Sequence, residues 1–238
     1  MKIVFTPDWF LTGDVMIDLF SLVILALFLS LAFKSYTLSK KKSVLYLGIG
    51  FLLIAAAEFV TIITKLPLYY NTDITTQIGT AVLSSNIVNT VDVFYYVGFF
   101  LQRFLTLLGF YVMYRLHYEN KLTKDFLMLL YFIFVTALLS HSIYYFYHLT
   151  ALIFLASIID NYEKTYRKNK SVNTKMLIVG FSILALSQVV FIFSKIASVY
   201  AIGQLVQLAG YITLLVLLIK IVKNGKEKKP SGDNPRHA

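Results

Sequence analysis

The chain has 238 residues, of which 58% are hydrophobic, 16% aromatic and only 14% charged. That is too apolar for a soluble domain of this length and matches a polytopic membrane protein. With no cysteine and four histidines, disulfides, thiol nucleophiles and cysteine metal sites are excluded, and a histidine cage is disfavoured.

Seven apolar segments follow one another, near 15–33, 43–64, 92–114, 126–140, 143–160, 176–194 and 200–222. Each approaches the length that a hydrocarbon core of about 30 Å demands. The first lacks a small-residue cleavage pattern, so it reads as a span and not as a leader. The second contains Glu58 and the third Arg103. Between them, 66–91 is the one long connector. Its PLYYNTD stretch reads as a turn with interfacial tyrosines, and 78–91 is suited to lie flat at the headgroup level. Residues 126–160 are almost continuously apolar, too long for one span, and broken only by Ser140, His141 and Ser142. A tight hairpin of two short helices is expected there. The stretch 223–238 reads as a basic, disordered cytoplasmic tail. Backbone groups in lipid must be satisfied within the span, so every segment is expected to be helical. The predicted fold class is an all-α integral membrane bundle of seven transmembrane helices, with the transmembrane domain over 1–222.

The net charge of +10 invites a nucleic-acid reading, but its placement argues for a membrane. Lys34 and Lys40 to Lys42 fall in the first loop, and Arg115, Lys121 and Lys124 in the third. The fifth loop holds Lys164, Arg167, Lys168, Lys170 and Lys175, and the tail begins with Lys220, Lys223 and Lys226. The alternate loops offer only Lys65 and Lys195, with Lys2 near the amino terminus. The positive-inside rule then predicts a multi-pass protein of the cell membrane, amino terminus outside and carboxyl terminus cytoplasmic. The lipid bilayer is the expected partner of these basic loops, and no nucleic acid is expected.

Two stretches 130 residues apart read alike. LGIGFLLIAAAEFVTIITK, 47–65, aligns without a gap on LIVGFSILALSQVVFIFSK, 177–195, with Glu58 falling on Gln188. The same offset sets Lys34, Tyr36 and Lys40 on Lys164, Tyr166 and Lys170. At a shorter offset Tyr95, Gly98 and Gln102 meet Tyr200, Gly203 and Gln207. Internal repeats govern architecture. They predict a first repeat over 15–114 and a second over 143–222, both running in the same direction and joined by a linker helix at 126–140. This three-plus-one-plus-three plan resembles that of the SWEET and PQ-loop sugar transporters and of the microbial rhodopsins. The resemblance is one of topology. The PQ dipeptide is absent, the four prolines Pro7, Pro67, Pro230 and Pro235 are expected outside the helices, and no lysine lies between Tyr200 and Ile219 to carry retinal.

Glu58 and Arg103 are the two charges expected well inside a span, roughly 9 and 17 Å from the outer surface at 1.5 Å per residue. Such groups cost about 2.5–3.5 kcal/mol on insertion scales and need a partner or water. A Glu58–Arg103 ion pair is therefore expected, with the long arginine reaching outward. Gln102, Tyr96, His148, Gln188, Gln204, Gln207 and Tyr211 gather in the same outer half. Glutamines facing lipid are costly, so these residues are expected to point into the bundle and line a ligand-binding cavity. Small residues at Gly98, Gly203 and Gly210 are expected at close helix crossings.

No HExxH, GxSxG or phosphate-binding loop is present, so an enzyme is not expected, and neither a metal nor a cofactor is. Two functional classes remain. One is a receptor or sensor that binds a small molecule in the outer half and signals to a cytoplasmic protein partner. The other is a small-solute or proton-coupled transporter built on parallel repeats; a non-catalytic subunit of a membrane complex is the third reading.

Overall fold

The computed structural model describes residues 6–40, 42–70, 90–115 and 124–227. After a one-turn 3-10 helix at Asp8–Phe10, the described residues form seven α-helices and no strand. They are α1 (Leu11–Ser39), α2 (Lys42–Tyr70), α3 (Thr90–Arg115), α4 (Lys124–Leu139), α5 (Tyr144–Asn169), α6 (Val172–Ile192) and α7 (Ala197–Glu227). Among the described residues, five stretches are long and apolar enough to cross a membrane: Asp8–Thr37, Val44–Leu66, Val93–Arg115, Val172–Ile192 and Ser198–Lys220. Within α4, Phe126–Leu139 is a shorter apolar helix. α5 is diluted by tyrosines and a histidine at one end and charged residues at the other.

The helices sit where the apolar segments predicted them, but several run further. α1 continues to Ser39, α5 to Asn169 and α7 to Glu227. Hydrogen bonding along a helix does not stop where apolar residues do, and the added turns carry the exposed Lys34, Lys164, Arg167 and Lys223. Two expectations are corrected accordingly. α2 extends through the PLYY sequence, so Pro67 lies in its last turn and not outside the helices. The first residues of the expected tail, 223–227, are helical. Glu58 and Arg103 lie at nearly one level, since Gly98 meets Thr64 on one side of them and Gly109 meets Gly50 and Ile54 on the other. Of the flat segment proposed over 78–91, residues 78–89 lie outside the described residues and Thr90 and Val91 open α3; Lys2 and the tail from 228 also lie outside them.

Termination is alike at two places. α1 and α5 end at Lys40 and Lys170, the two non-glycine residues with positive φ among those described, at 54° and 44°. Each donates its N–H to the carbonyl of a tyrosine four residues earlier, Tyr36 or Tyr166, at 2.7 Å. A left-handed lysine costs about 1–2 kcal/mol against a right-handed one, so the cap hydrogen bond and the following helix must hold it. The α4–α5 turn closes at Ser140 to Ser142 as expected, with Ser142 donating its N–H to the Leu139 carbonyl at 3.0 Å.

α1 packs on α2 and α2 on α3; α5 packs on α6 and α6 on α7. Contacts of α1 with α7 and of α3 with α5 close these two trios into a six-helix ring, and α4 lies outside it against α3 and α5. Near the ends marked by Lys40 and Lys170 the ring is filled. Phe51 stacks on Phe181 at 6.4 Å between ring centroids, flanked by Phe28 on one side and Tyr162 on the other. Phe51 and Phe181, 130 residues apart in the chain, thus bring α2 and α6 together across the ring. α2 and α3 approach closely at two glycines: a Cβ on Gly109 would lie 2.7 Å from the Gly50 carbonyl oxygen. Only the missing side chains permit that crossing. Outward, the helices present large apolar residues such as Phe20, Leu27, Phe59, Met128, Leu186 and Leu205, a surface suited to lipid and not to water.

Candidate functional site

Opposite the aromatic plug, the half of the bundle remote from Lys40 and Lys170 is polar inside. Asp14 and Asp18 lie one turn apart on α1, and Lys65 and Tyr69 one turn apart on α2, so each pair shares a helix face. Lys65 Nζ sits 2.6 Å from Asp18 Oδ2 and 2.9 Å from Asp14 Oδ2, with all three side chains almost fully buried. Removing such ions from water costs several kcal/mol each, which their attraction offsets only if the remaining lone pairs are met. Asp14 meets that condition. It accepts from the Tyr69 hydroxyl at 2.5 Å, the Tyr200 hydroxyl at 3.0 Å and the Thr6 hydroxyl at 3.1 Å. Gln204 Nε2 donates to the Tyr200 hydroxyl at 2.8 Å, extending the network along α7.

Deeper, Glu58 is hydrogen-bonded to α7. Its Oε1 accepts from Gln207 Nε2 at 3.1 Å and from the Tyr211 hydroxyl at 3.3 Å. Arg103 turns the other way, toward the α4–α5 turn. Its Nη1 donates to Ser140 Oγ at 3.1 Å, and its guanidinium carbon lies 6.0 Å from the Tyr147 ring centroid. The expected Glu58–Arg103 ion pair is therefore not formed. Neutral donors of α7 meet the carboxylate, while the flexible arginine stem carries its head to a hydroxyl and an aromatic face on α5. On the remaining side His148 Nδ1 lies 2.9 Å from Gln188 Oε1, and the imidazole stacks on Phe191 at 5.2 Å.

These groups surround one cavity of about 130 Å³. A site of roughly 10–15 Å³ suffices for one water, so there is room for a small organic molecule. Of the nine residues expected to line it, Glu58, Arg103, Gln102, His148, Gln188, Gln204, Gln207 and Tyr211 do so. Tyr96 does not: it is 36% exposed and turns its ring edge to His141 at 4.8 Å. Its neighbour Tyr95 is the buried one, because successive helix residues are rotated by about 100° and only one of the two can face inward. Several lining residues also stand at the sequence offsets noted above. Asp18 and His148, Glu58 and Gln188, and Thr61 and Phe191 stand 130 residues apart; Gln102 and Gln207 stand at the shorter offset.

The ion cluster was not foreseen. Glu58 and Arg103 were expected to be the only charges deep in the spans, and Lys65 was expected in an outer loop; Asp14, Asp18 and Lys65 are instead buried in α1 and α2. The signal was present as two pairs with four-residue spacing near the ends of consecutive segments, one acidic and one Lys/Tyr. No protein-family model matches this chain, and neither a curated protein nor a solved structure matches it, so its own geometry carries the functional reading.

Proposed function

We propose that this chain is a seven-span membrane receptor that binds a small molecule in the outer half of its bundle and does not transform it. The single observation carrying this reading is convergence: polar residues from α1, α2, α3, α5, α6 and α7 border one cavity inside an otherwise apolar ring. Polar side chains at bilayer depth are costly and mark ligand or ion sites by default. The sequence offset, the paired lysine caps and the matched cavity positions support two parallel trios joined by α4. The basic residues near Lys40 and Lys170 support a cytoplasmic location for that end, with the cavity facing outward.

The aromatic plug favours reception over passage. Phe51 lies seven residues, or about 10 Å, inward of Glu58 along α2, and its stack on Phe181 fills the ring there. A ligand then enters and leaves on one side, and the cytoplasmic ends relay its presence to a protein partner. Carriage of a solute is the second reading, favoured by the parallel trios around a central cavity, since repeats commonly flank transport sites.

One preparation separates the readings. The purified protein in lipid nanodiscs is screened for stabilisation by small metabolites, and in proteoliposomes for uptake of any hit. Stabilisation lost in the cavity-filling Gln188→Trp variant, without uptake, is the expected result. Uptake of the hit would make the protein a carrier. Stabilisation that survives Gln188→Trp would move the ligand elsewhere and end the cavity reading.

A further inference from the structure

Among the described residues four charged side chains border the cavity, and two of them, Asp18 and Lys65, are paired with each other, Asp14 also contacting Lys65. The other two are not. Among the described residues neither Glu58 nor Arg103 has an oppositely charged group within 4.0 Å, yet both border the same cavity. Each also has bonding capacity to spare. Arg103 has five N–H donors, and one of them is engaged, by Ser140. Glu58 uses Oε1 for both of its hydrogen bonds, leaving Oε2 open.

We infer that the cavity takes a small zwitterion, its anionic group on Arg103 and its cationic group on Glu58. The inference rests on the ligand-binding reading above and names the class of molecule. An isolated anion would neutralise Arg103 but would sit in a chamber also bordered by the Glu58 carboxylate, while Asp18 and Lys65, which line it too, are already paired with each other. An isolated cation would leave the guanidinium unpaired in a low-dielectric interior, where such a charge is expensive. A molecule bearing both charges relieves both groups at once. The two protein charges are also kept from collapsing on each other. Gln207 and Tyr211 hold Glu58 against α7, and Ser140 and Tyr147 hold Arg103 toward α4 and α5. A ligand spanning that gap finds both ends preorganised, which reduces the ordering cost of binding.

The test uses the full chain in nanodiscs and a graded set of probes: glycine, β-alanine, γ-aminobutyrate and 5-aminovalerate, with butyrate and butylamine as single-charge controls. Thermal unfolding is followed against probe concentration. One chain length of amino acid should stabilise at least tenfold more potently than either control, added singly or together. Arg103→Gln should weaken that probe tenfold or more while sparing butylamine, and Glu58→Gln should do so while sparing butyrate. Should either neutralised variant misfold, Arg103→Lys and Glu58→Asp keep the charge and should bind with a shifted chain-length optimum. Butyrate or butylamine equalling the best amino acid would overturn the zwitterion while leaving a ligand cavity in place. A panel without any stabilising member would overturn it too, and screening with uncharged solutes, blocked by Gln188→Trp, would still report on the cavity itself.

Discussion

Lys65 is the residue on which the polar half depends most. It neutralises Asp14 and Asp18 together, and without it two carboxylates would face each other in a dry interior. Removing one partner of a buried pair costs about 3–5 kcal/mol, whereas removing the whole set is often tolerated. Lys65→Met should therefore lower stability by about that amount, and adding Asp14→Asn and Asp18→Asn should recover most of it. Thermal unfolding of the single and triple variants in detergent checks this. A Lys65→Met protein as stable as the parent would show that the cluster carries no structural weight. At the same scale, Glu58 and Arg103 were legible as costly groups, but their partners were not. Sequence distance says that α2 and α3 are neighbours; it does not say that Gln207, 149 residues away, reaches the carboxylate before the arginine does.

At the scale of elements, the seven helices follow from apolar length, and their packing follows from small residues at particular levels. The Gly50–Gly109 crossing and the Gly210–Leu184 contact differ in what a new methyl group would meet. On Gly109 it would press on the Gly50 carbonyl oxygen, which cannot move without shifting α2. On Gly210 it would meet the Leu184 side chain at 2.6 and 2.8 Å, atoms that can give more readily than a backbone carbonyl, with the Leu184 backbone nitrogen further off at 3.3 Å. Overpacking a fixed neighbour costs about 1–3 kcal/mol. Gly109→Ala should thus destabilise by that amount and clearly more than Gly210→Ala, measured by unfolding of the two variants under one condition. Equal effects would mean that the α2–α3 crossing is looser than described. Helix ends were the least legible feature. α2 was expected to stop near Lys65, yet it continues past Pro67 to Tyr70, which is what brings Tyr69 onto Asp14.

For the whole molecule the decisive quantity is sidedness. The chain has no cysteine, so single-cysteine labelling reads topology without background. Ser142 is exposed in the α4–α5 turn, and Asn169 is exposed at the end of α5 beside the Lys170 cap. Ser142→Cys should react with a membrane-impermeant maleimide on intact cells, and Asn169→Cys only after permeabilisation. The reverse pattern would place the cavity on the cytoplasmic side and remove the receptor for external ligands.

Taken alone, the sequence determined what depends on local content: the apolar lengths that make seven helices, the lysine distribution, the 130-residue self-similarity and the types of polar residue held inside. Those properties survive in any arrangement of the chain, because hydropathy and helix period belong to short stretches. The tertiary structure alone decided who pairs with whom. It closed α1 on α7 and α3 on α5, sent Glu58 and Arg103 to different sides of one cavity, turned Tyr96 outward and buried Lys65 between two aspartates. Such choices depend on helix rotation and on which distant helix arrives alongside. One residue of rotation exchanges an inward for an outward side chain, and residue spacing along a single chain does not specify it.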